Sequence, residues 1–209
     1  MAEDDRPPVA DVRAIDRIAF FSDAVVAIAM TLLGIQLRLP ITTTSVTLAH
    51  DLGQLGDQYV SFVLSFIVIA MFWRSHHRRF DVLVAYDDRL IALNTLFLLS
   101  IVFLPFPTEV LGRYGGRTAT IFYASSMLVA GLASLLNAWY VFRVRLVSDR
   151  LTSRDRAADM WRGAAFVAMF GLSIPVAFLS VGAAQVMWVA AVVLRRLASL
   201  AARRGDRTA

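Results

Sequence analysis

The sequence contains no cysteine, so a disulfide framework, a thiolate metal site and a cysteine nucleophile are all excluded. Charge is scarce as well: Asp, Glu, Lys and Arg make up 18% of the 209 residues, where a soluble domain has about a quarter. Hydrophobic residues reach 58%, and the mean hydropathy is +0.63. This composition excludes a soluble enzyme and a soluble DNA-binding domain.

Lysine is absent too, and all 21 basic residues are arginine. A net charge of +5 and a pI of about 10.4 raise the question of a nucleic-acid partner. The arginines, however, gather at the ends of apolar runs. Arginine in that position marks membrane topology and contacts lipid phosphates. We therefore expect membrane lipids as partners and no nucleic acid.

Apolar runs without any charge set the number of membrane spans. They are 16, 19, 25 and 32 residues long and cover residues 58–73, 90–108, 118–142 and 163–194. About 18 apolar residues cross a bilayer as a helix, whereas 32 residues at about 1.5 Å each exceed its core of about 30 Å. The last run therefore predicts a hairpin of two spans with its turn near Ser180. Pro40 is expected to end the first span, and Pro105 and Pro107 the third.

These boundaries predict an all-α integral protein of the cell membrane with one six-span domain over residues 17–200. The spans are expected at about 17–39, 58–80, 89–107, 118–142, 161–180 and 183–200, between tails of residues 1–16 and 201–209. With the N-terminus inside, eighteen arginines fall on the cytoplasmic side and three outside, which is a clear positive-inside signal. Both tails are therefore expected in the cytoplasm. The first 16 residues contain five acids and no apolar stretch, so they do not predict a cleaved signal peptide.

Asp23 is the only acid well inside a predicted span. A charged residue is costly there and is a functional candidate by default. Polar residues of the next two spans lie at the same depth, so a structural network is predicted to contain Arg17, Ser22, Asp23, Trp73, His77 and Asn94. The alternative role for Asp23 is that of an ion ligand or a proton relay. The adjacent His76 and His77 point about 100° apart on a helix, so we expect no metal site there.

Residues 17–24 read Arg-Ile-Ala-Phe-Phe-Ser-Asp-Ala. They fit the R-x-x-x-F-S-D signature, and the first span resembles that of the transmembrane protein 175 family, the endolysosomal potassium channel and its prokaryotic relatives. The resemblance runs on to Pro40 and includes Phe72-Trp73-Arg-Ser-His76-His77, Leu93-Asn94-Thr-Leu-Phe-Leu-Leu and Leu104-Pro105-Phe-Pro107-Thr108. It covers about half of the chain in the family's order. The last three spans match only in number and hydropathy.

The resemblance implies a homotetramer of six-span subunits whose first helices line a potassium-permeable pore. Carried over by distance from the motif, Ile28 forms the narrowest ring, with Leu32 and Ile35 above it. Thr31 is the hydroxyl-bearing neighbour, and the motif residues, Phe21 among them, are implied to join the helices. Ile28, Leu32 and Ile35 also share one helix face. By itself such a stripe is typical of packing or lipid contact.

We therefore predict a potassium-permeable cation channel, not an enzyme, with K⁺ as the permeant ion and neither a cofactor nor a bound metal. The sequence has no TVGYG filter. The resemblance implies instead a hydrophobic constriction, which we expect to gate by dewetting. Two alternatives stay open: a proton-coupled secondary transporter with Asp23 and His77 as its relay, and a membrane scaffold without transport. Arg38 at the outer mouth departs from the family pattern and bears on cation preference. We expect it to snorkel to the headgroups.

Overall fold

A computed structural model describes residues 12–41, 43–148 and 151–190, and these ranges are predominantly helical. The helices are α1 Val12–Ile35, α2 Leu48–Gln54, α3 Gly56–Phe80, α4 Asp88–Phe103, α5 Pro105–Tyr114, α6 Gly116–Arg143 and α7 Ser153–Leu179, followed by α8 Val181–Ala190. Five segments are long and apolar enough to cross a membrane: Arg13–Ile35, Gly56–Phe80, Asp88–Tyr114, Gly116–Arg143 and Ser153–Leu179. The all-α, multi-pass membrane fold is confirmed, with five spans inside the described ranges.

The helices form a bundle with α1 at one edge and α7 at the opposite edge. α1 packs against α3, α4 and α5, the last two pack against α6, and α6 packs along α7. Buried aromatic rings join the layers: the ring of Phe72 meets that of Phe97 edge-on at 6.0 Å and that of Phe166 at 4.8 Å between centroids. The main packing partners of α1 are therefore all on one side of it.

One end of the bundle gathers the beginnings of α1 and α4 and the ends of α3 and α6. Ile15, Phe80, Leu90 and Leu146 belong to one buried cluster there. The loops after α3 and α6 pair with each other, since the N–H of Val84 donates to the carbonyl of Leu146 at 2.9 Å. By their positions on these helices and loops, eleven of the fourteen arginines in the described ranges lie at this arginine-rich end. The arginine excess thus marks one end of the bundle.

α1 differs from the predicted first span at both ends. It begins at Val12, inside the predicted tail, and ends at Ile35, four residues before the predicted boundary at 39. Pro40 disfavours helical geometry at the residue before it and lacks the N–H that would bond the carbonyl of residue 36. The described residues that follow, 36–41 and 43–47, are not helical, and the short helix α2, which the sequence did not predict, comes after them.

The prediction that Pro105 and Pro107 close the third span is wrong. α4 ends at Phe103, and after Leu104 the chain continues as α5 to Tyr114, so that α4 and α5 form one segment long enough to cross a membrane. Proline is tolerated in the first turn of a helix, where its missing N–H would have no partner in any case. The segment ends at Gly115, whose φ of 57° lies in the left-handed region that favours glycine.

The last uncharged run is divided at the predicted turn. α7 ends at Leu179, and the extended Ser180 accepts a hydrogen bond from the N–H of Ala183 at 3.3 Å, which caps α8. α8 folds back along α7, since the rings of Phe170 and Trp188 stack at 5.7 Å. α7 begins at Ser153 rather than 161, because Thr152 and Asp155 form a capping box. The predicted span 183–200 is described only as far as Ala190.

Glycine lets α6 and α7 approach closely, and this contact gives a first prediction. A Cβ on Gly131 would lie 2.9 Å from the ring of Phe166. We expect Gly131→Ala to lower the stability of the protein by about 1–3 kcal/mol, because the ring must move within a packed interface. Thermal unfolding in detergent measures the loss. Gly53→Ala is the control, since Gly53 has open space around it, and equal melting temperatures for both variants would contradict the prediction.

Candidate functional site

α1 has a buried face that fixes it to the bundle. The residues on this face follow a helical spacing of three, four and seven: Ile15, Ser22, Val26, Ala29 and Leu33. Val26, Ala29 and Leu33 belong to the main core cluster together with residues of α3 and α4. This packing sets the rotation of α1 about its axis and therefore decides which side chains point away from the protomer.

The opposite face of α1, which we call the open face, carries the residues predicted to line a pore. The exposed fractions of Ile28, Leu32 and Ile35 are 58%, 37% and 61%. Thr31 is exposed as well, and its hydroxyl donates to the carbonyl of Ile28 at 2.8 Å. The predicted constriction residues thus share one face, which is free in the protomer for contact with other copies, lipid or water.

A buried polar chain anchors α1 to α3 and α4. The amide of Asn94 donates to the hydroxyl of Ser22 at 2.9 Å, and its carbonyl oxygen contacts Nε2 of His76 at 2.7 Å. The ring of His76 is 1% exposed and stacks on Phe80 and Phe97. The three polar side chains satisfy one another inside the bundle, which stabilises the packing of the three helices.

A second polar group lies half-exposed beside the first. The indole N–H of Trp73 donates to Oδ1 of Asp23 at 2.8 Å. Nδ1 of His77 lies 3.7 Å from Oδ2 of Asp23, and its Nε2 lies 3.7 Å from Asp81. The rings of Trp73 and His77 stack at 5.4 Å. These contacts hold the carboxylate of Asp23 at the junction of α1 and α3.

The structure therefore divides the predicted network into two groups and changes its membership. Asn94 contacts His76, not His77, because neighbouring helix positions point about 100° apart and only His76 faces α4. Arg17 and Phe21 are exposed, and no hydrogen bond or ion pair joins Arg17 to Asp23 in the part of the chain that the structure describes. Phe21 lies on the open face of α1.

Asp23 itself does not lie on the open face. Five residues separate it from Ile28, which corresponds to about 140° around the helix. Its carboxylate oxygens point to Trp73 and His77 instead. The geometry thus favours a structural role for Asp23 over that of an ion ligand.

Replacing Asp23 tests this role. Asp23→Ala leaves the indole N–H of Trp73 without its acceptor, and we expect a loss of roughly 1–3 kcal/mol of stability for that unsatisfied group. A lower melting temperature in detergent, or a lower yield of assembled protein, should therefore precede any change in ion preference. Normal assembly together with altered ion preference would instead make Asp23 an ion ligand.

Two buried polar clusters were missed by sequence reasoning. In the first, Nη1 of Arg79 pairs with Asp159 at 3.1 Å, and Nη2 donates to Ser134 at 3.1 Å. From the sequence, Arg79 is only one of the eighteen arginines that mark the cytoplasmic side. In the second, the hydroxyl of Ser65 contacts those of Thr108 at 2.8 Å and Tyr123 at 3.0 Å. The local signal is limited to hydroxyl-bearing side chains inside apolar runs, such as Ser65 and Thr108, since Arg79 and Asp159 lie in charged stretches outside those runs.

Comparisons with known proteins show which proteins the chain is similar to. Residues 17–105 match the family described as the endosomal/lysosomal potassium channel TMEM175. A potassium channel of Streptomyces collinus is 31% identical over 170 residues, which cover 78% of this chain and 82% of that protein. One of Chamaesiphon minutus is 31% identical over 186 residues, covering 82% and 90%. The crystal structure of a lysosomal potassium-selective channel TMEM175 homologue from Chamaesiphon minutus superposes with a TM-score of 0.78 at 25% identity, covering 90% of this chain and 98% of that one.

Proposed function

Since the chain belongs to the TMEM175 family and is a potassium channel of the membrane, we propose that four copies assemble around a central axis. In this assembly α1 of each copy lines the pore with its open face. The resemblance to the family supports the number of copies. Closed symmetry about one axis is the usual way in which identical membrane subunits enclose a path that a single subunit cannot form.

The observation that carries the proposal is the two-faced burial of α1. Its buried face and its polar anchors hold it on the bundle, while Ile28 and Ile35 remain more than half exposed. Turning four open faces toward one axis would bury these side chains against their symmetry mates. In this orientation of α1, Asp23 lies on the side of the helix that faces α3 and not on the side that faces the pore axis.

The proposed gate is a hydrophobic constriction at Ile28, with Leu32 and Ile35 lining the next turns toward the outer end. Four branched side chains that touch exclude water, and a dewetted apolar ring blocks a hydrated ion. A slight dilation lets a partly dehydrated potassium ion pass. The hydroxyl of Thr31 donates to the carbonyl of Ile28, so its oxygen presents its lone pairs outward beside the constriction.

Arg38 need not repel cations at the outer mouth. Its Nε donates to the carbonyl of Ile35 at 3.4 Å, at the C-terminal end of α1. This end of a helix carries a partial negative charge that attracts a guanidinium. Arg38 thus caps α1 with its Nε–H, and its charge is partly offset by the helix end. The predicted contact of its guanidinium with headgroups stays a prediction.

The proposed topology has six spans with both tails in the cytoplasm. Five spans fall within the described ranges, and α8 is the start of the sixth. The arginine-rich end of the bundle, where α1 begins and α3 and α6 end, supports a cytoplasmic orientation through the positive-inside rule. The outer side then holds Arg38, Arg113 and Arg117.

Assembly can be measured directly. Native mass spectrometry in mild detergent is expected to give a main species of about 92 kDa, four times the 23.1 kDa of one chain. Mild detergent keeps helix–helix contacts that lipid would otherwise support. Monomers alone, from protein that is folded and conducts after reconstitution, would contradict the tetramer.

The alternative is a proton-coupled transporter, and the contact between Asp23 and His77 at 3.7 Å is the observation in its favour. Flux assays in proteoliposomes separate the two functions. A channel gives passive, non-saturating potassium flux that does not depend on a proton gradient. A transporter gives saturable uptake coupled to protons and loses it in the variant His77→Gln.

A further inference from the structure

A half-open groove lies between α3, α6 and α7 at the arginine-rich end of the bundle, on the side away from α1. Its cavity has a volume of about 40 Å³. One part of the lining is polar and includes Arg79, Ser134, Asp159 and Arg162, and the rest is apolar and includes Val68 and Phe166. The groove thus has a charged end and a long apolar wall.

The charged end contains more positive than negative charge. Arg79 is 5% exposed, and its Nη atoms are taken up by Asp159, Ser75 and Ser134. Its Nε–H is buried and has no hydrogen-bond partner in the described chain, which is costly for a cationic donor and calls for an acceptor. Nη2 of Arg78 lies 4.0 Å from Asp159.

Arg162 adds a second guanidinium to the lining of the groove, and Arg78 lies beside it. Arg162 lines the cavity from α7, and its side chain is exposed. The groove and its edge thus hold three arginines and one carboxylate, that of Asp159. The excess of positive charge, together with an unpartnered N–H, is complementary to an anion with several acceptor oxygens, and phosphate has this chemistry.

The position of the groove in the bundle identifies the source of that phosphate. Arg78 and Arg79 occupy the last turn of the spanning helix α3, where it reaches the membrane surface. Met71, a half-buried residue of the lining, lies about two turns further into the span, so the apolar wall follows the hydrocarbon region. A lipid fits this arrangement, because its headgroup and its acyl chains are placed at the same two depths.

We propose that this groove binds an anionic phospholipid of the leaflet at the arginine-rich end, with its phosphate on Arg79 and Arg162 and an acyl chain along the apolar wall. Basic pockets between membrane helices take anionic headgroups in this way. Binding there ties α7 to α3 across α6 and is independent of the conduction path, since the open face of α1 lies at the other edge of the bundle.

Lipid titration followed by native mass spectrometry tests the proposal. Delipidated wild-type protein is titrated with phosphatidylglycerol and with phosphatidylcholine of the same acyl chains, and we expect tighter binding of phosphatidylglycerol. Arg162→Gln should weaken phosphatidylglycerol binding about fivefold, as expected for one arginine near the membrane surface. Arg154→Gln is the matched control, because Arg154 is an exposed arginine of the same helix that does not line the groove. It should change binding by less than twofold.

Three results would overturn the proposal: equal binding of the two lipids, equal effects of the two substitutions, or displacement of the lipid by soluble glycerol phosphate at the same concentration. The last result would make the groove a site for a free anion. If Arg162→Gln elutes or melts differently from the wild type, Arg78→Gln replaces it, since Arg78 is also partly exposed and beside the groove. Lipid binding is read without any flux measurement, so failure here leaves the channel function untouched.

Discussion

Replacing Ile28 by asparagine is expected to raise cation flux and to lower the preference for potassium over sodium. Ile28 is the proposed narrowest ring, and its apolar side chains exclude water when they touch. Asparagine hydrates the ring, and its amide groups can solvate any small cation. Each reduction of the barrier by about 1.4 kcal/mol corresponds to a roughly tenfold rise in rate. Potassium and sodium flux into proteoliposomes, measured under identical gradients, gives both quantities.

A control must separate this effect from damage to the fold. Leu172 on α7 is 61% exposed, close to the 58% of Ile28, but lies at the opposite edge of the bundle. Leu172→Asn therefore introduces the same polar group at a similar exposed site outside the proposed pore, and its flux should match the wild type. If a correctly assembled Ile28→Asn protein also keeps wild-type flux and ion preference, α1 does not form the constriction.

The sequence was sufficient for the membrane fold and for most of the first helix. Uncharged runs locate the spans because no other arrangement hides so many apolar residues, and the turn at Ser180 follows from the length of the last run alone. The contact of Asp23 with Trp73 and that of Ser22 with Asn94 join residues that the depth argument had already placed together.

The polar network could be predicted only in part, because the sequence does not give the rotation of α3 about its axis. Depth in the membrane can be counted from the sequence, but whether His76 or His77 faces α4 depends on how α3 packs against its neighbours. In the structure His77 reaches Asp23, while His76 contacts Asn94. The local pattern of α3 contains two histidines in succession and does not distinguish them.

Proline gave a misleading boundary for the third span. Pro105 and Pro107 looked like terminators because proline breaks a helix interior, yet here they open a new helix directly after the old one. The distinction depends on Leu104, whose backbone stays in the helical region, with φ of −56° and ψ of −34°. Only the packing of α5 against α3 and α6 determines that outcome.

The ion pair between Arg79 and Asp159 could not be predicted from the sequence, because the two residues are far apart along the chain. Eighty residues separate the two partners, and in the sequence each is only one charged residue among several beyond an apolar run. The structure instead places the guanidinium in the interior, 5% exposed, among helices α3, α6 and α7. Neither residue type nor spacing indicates such a pairing, because arginine at the end of a span is ordinary in membrane proteins.

Removing the carboxylate of Asp159 is expected to give the largest loss of stability of any single substitution proposed for this chain. Asp159→Ala leaves the buried guanidinium of Arg79 without its counter-charge, and breaking a buried ion pair in this way costs about 3–5 kcal/mol. A large fall in melting temperature in detergent and a reduced yield of folded protein should follow. Asp57→Ala is the control: Asp57 is an exposed acid in the first turn of α3, where loss of its charge costs about 0.3–1 kcal/mol.

The double variant Arg79→Met with Asp159→Leu separates the loss of charge balance from the loss of packing. Apolar side chains of similar size remove both charges at once, and such replacements of buried pairs are often neutral or stabilising. The double variant should therefore melt well above Asp159→Ala, because no charge is left buried without a partner. If the double variant is as unstable as the single one, the pair acts through its hydrogen bonds to Ser75 and Ser134 and not through its charge. If Asp159→Ala alone is as stable as Asp57→Ala, Arg79 reaches solvent or lipid phosphate and is not held by Asp159.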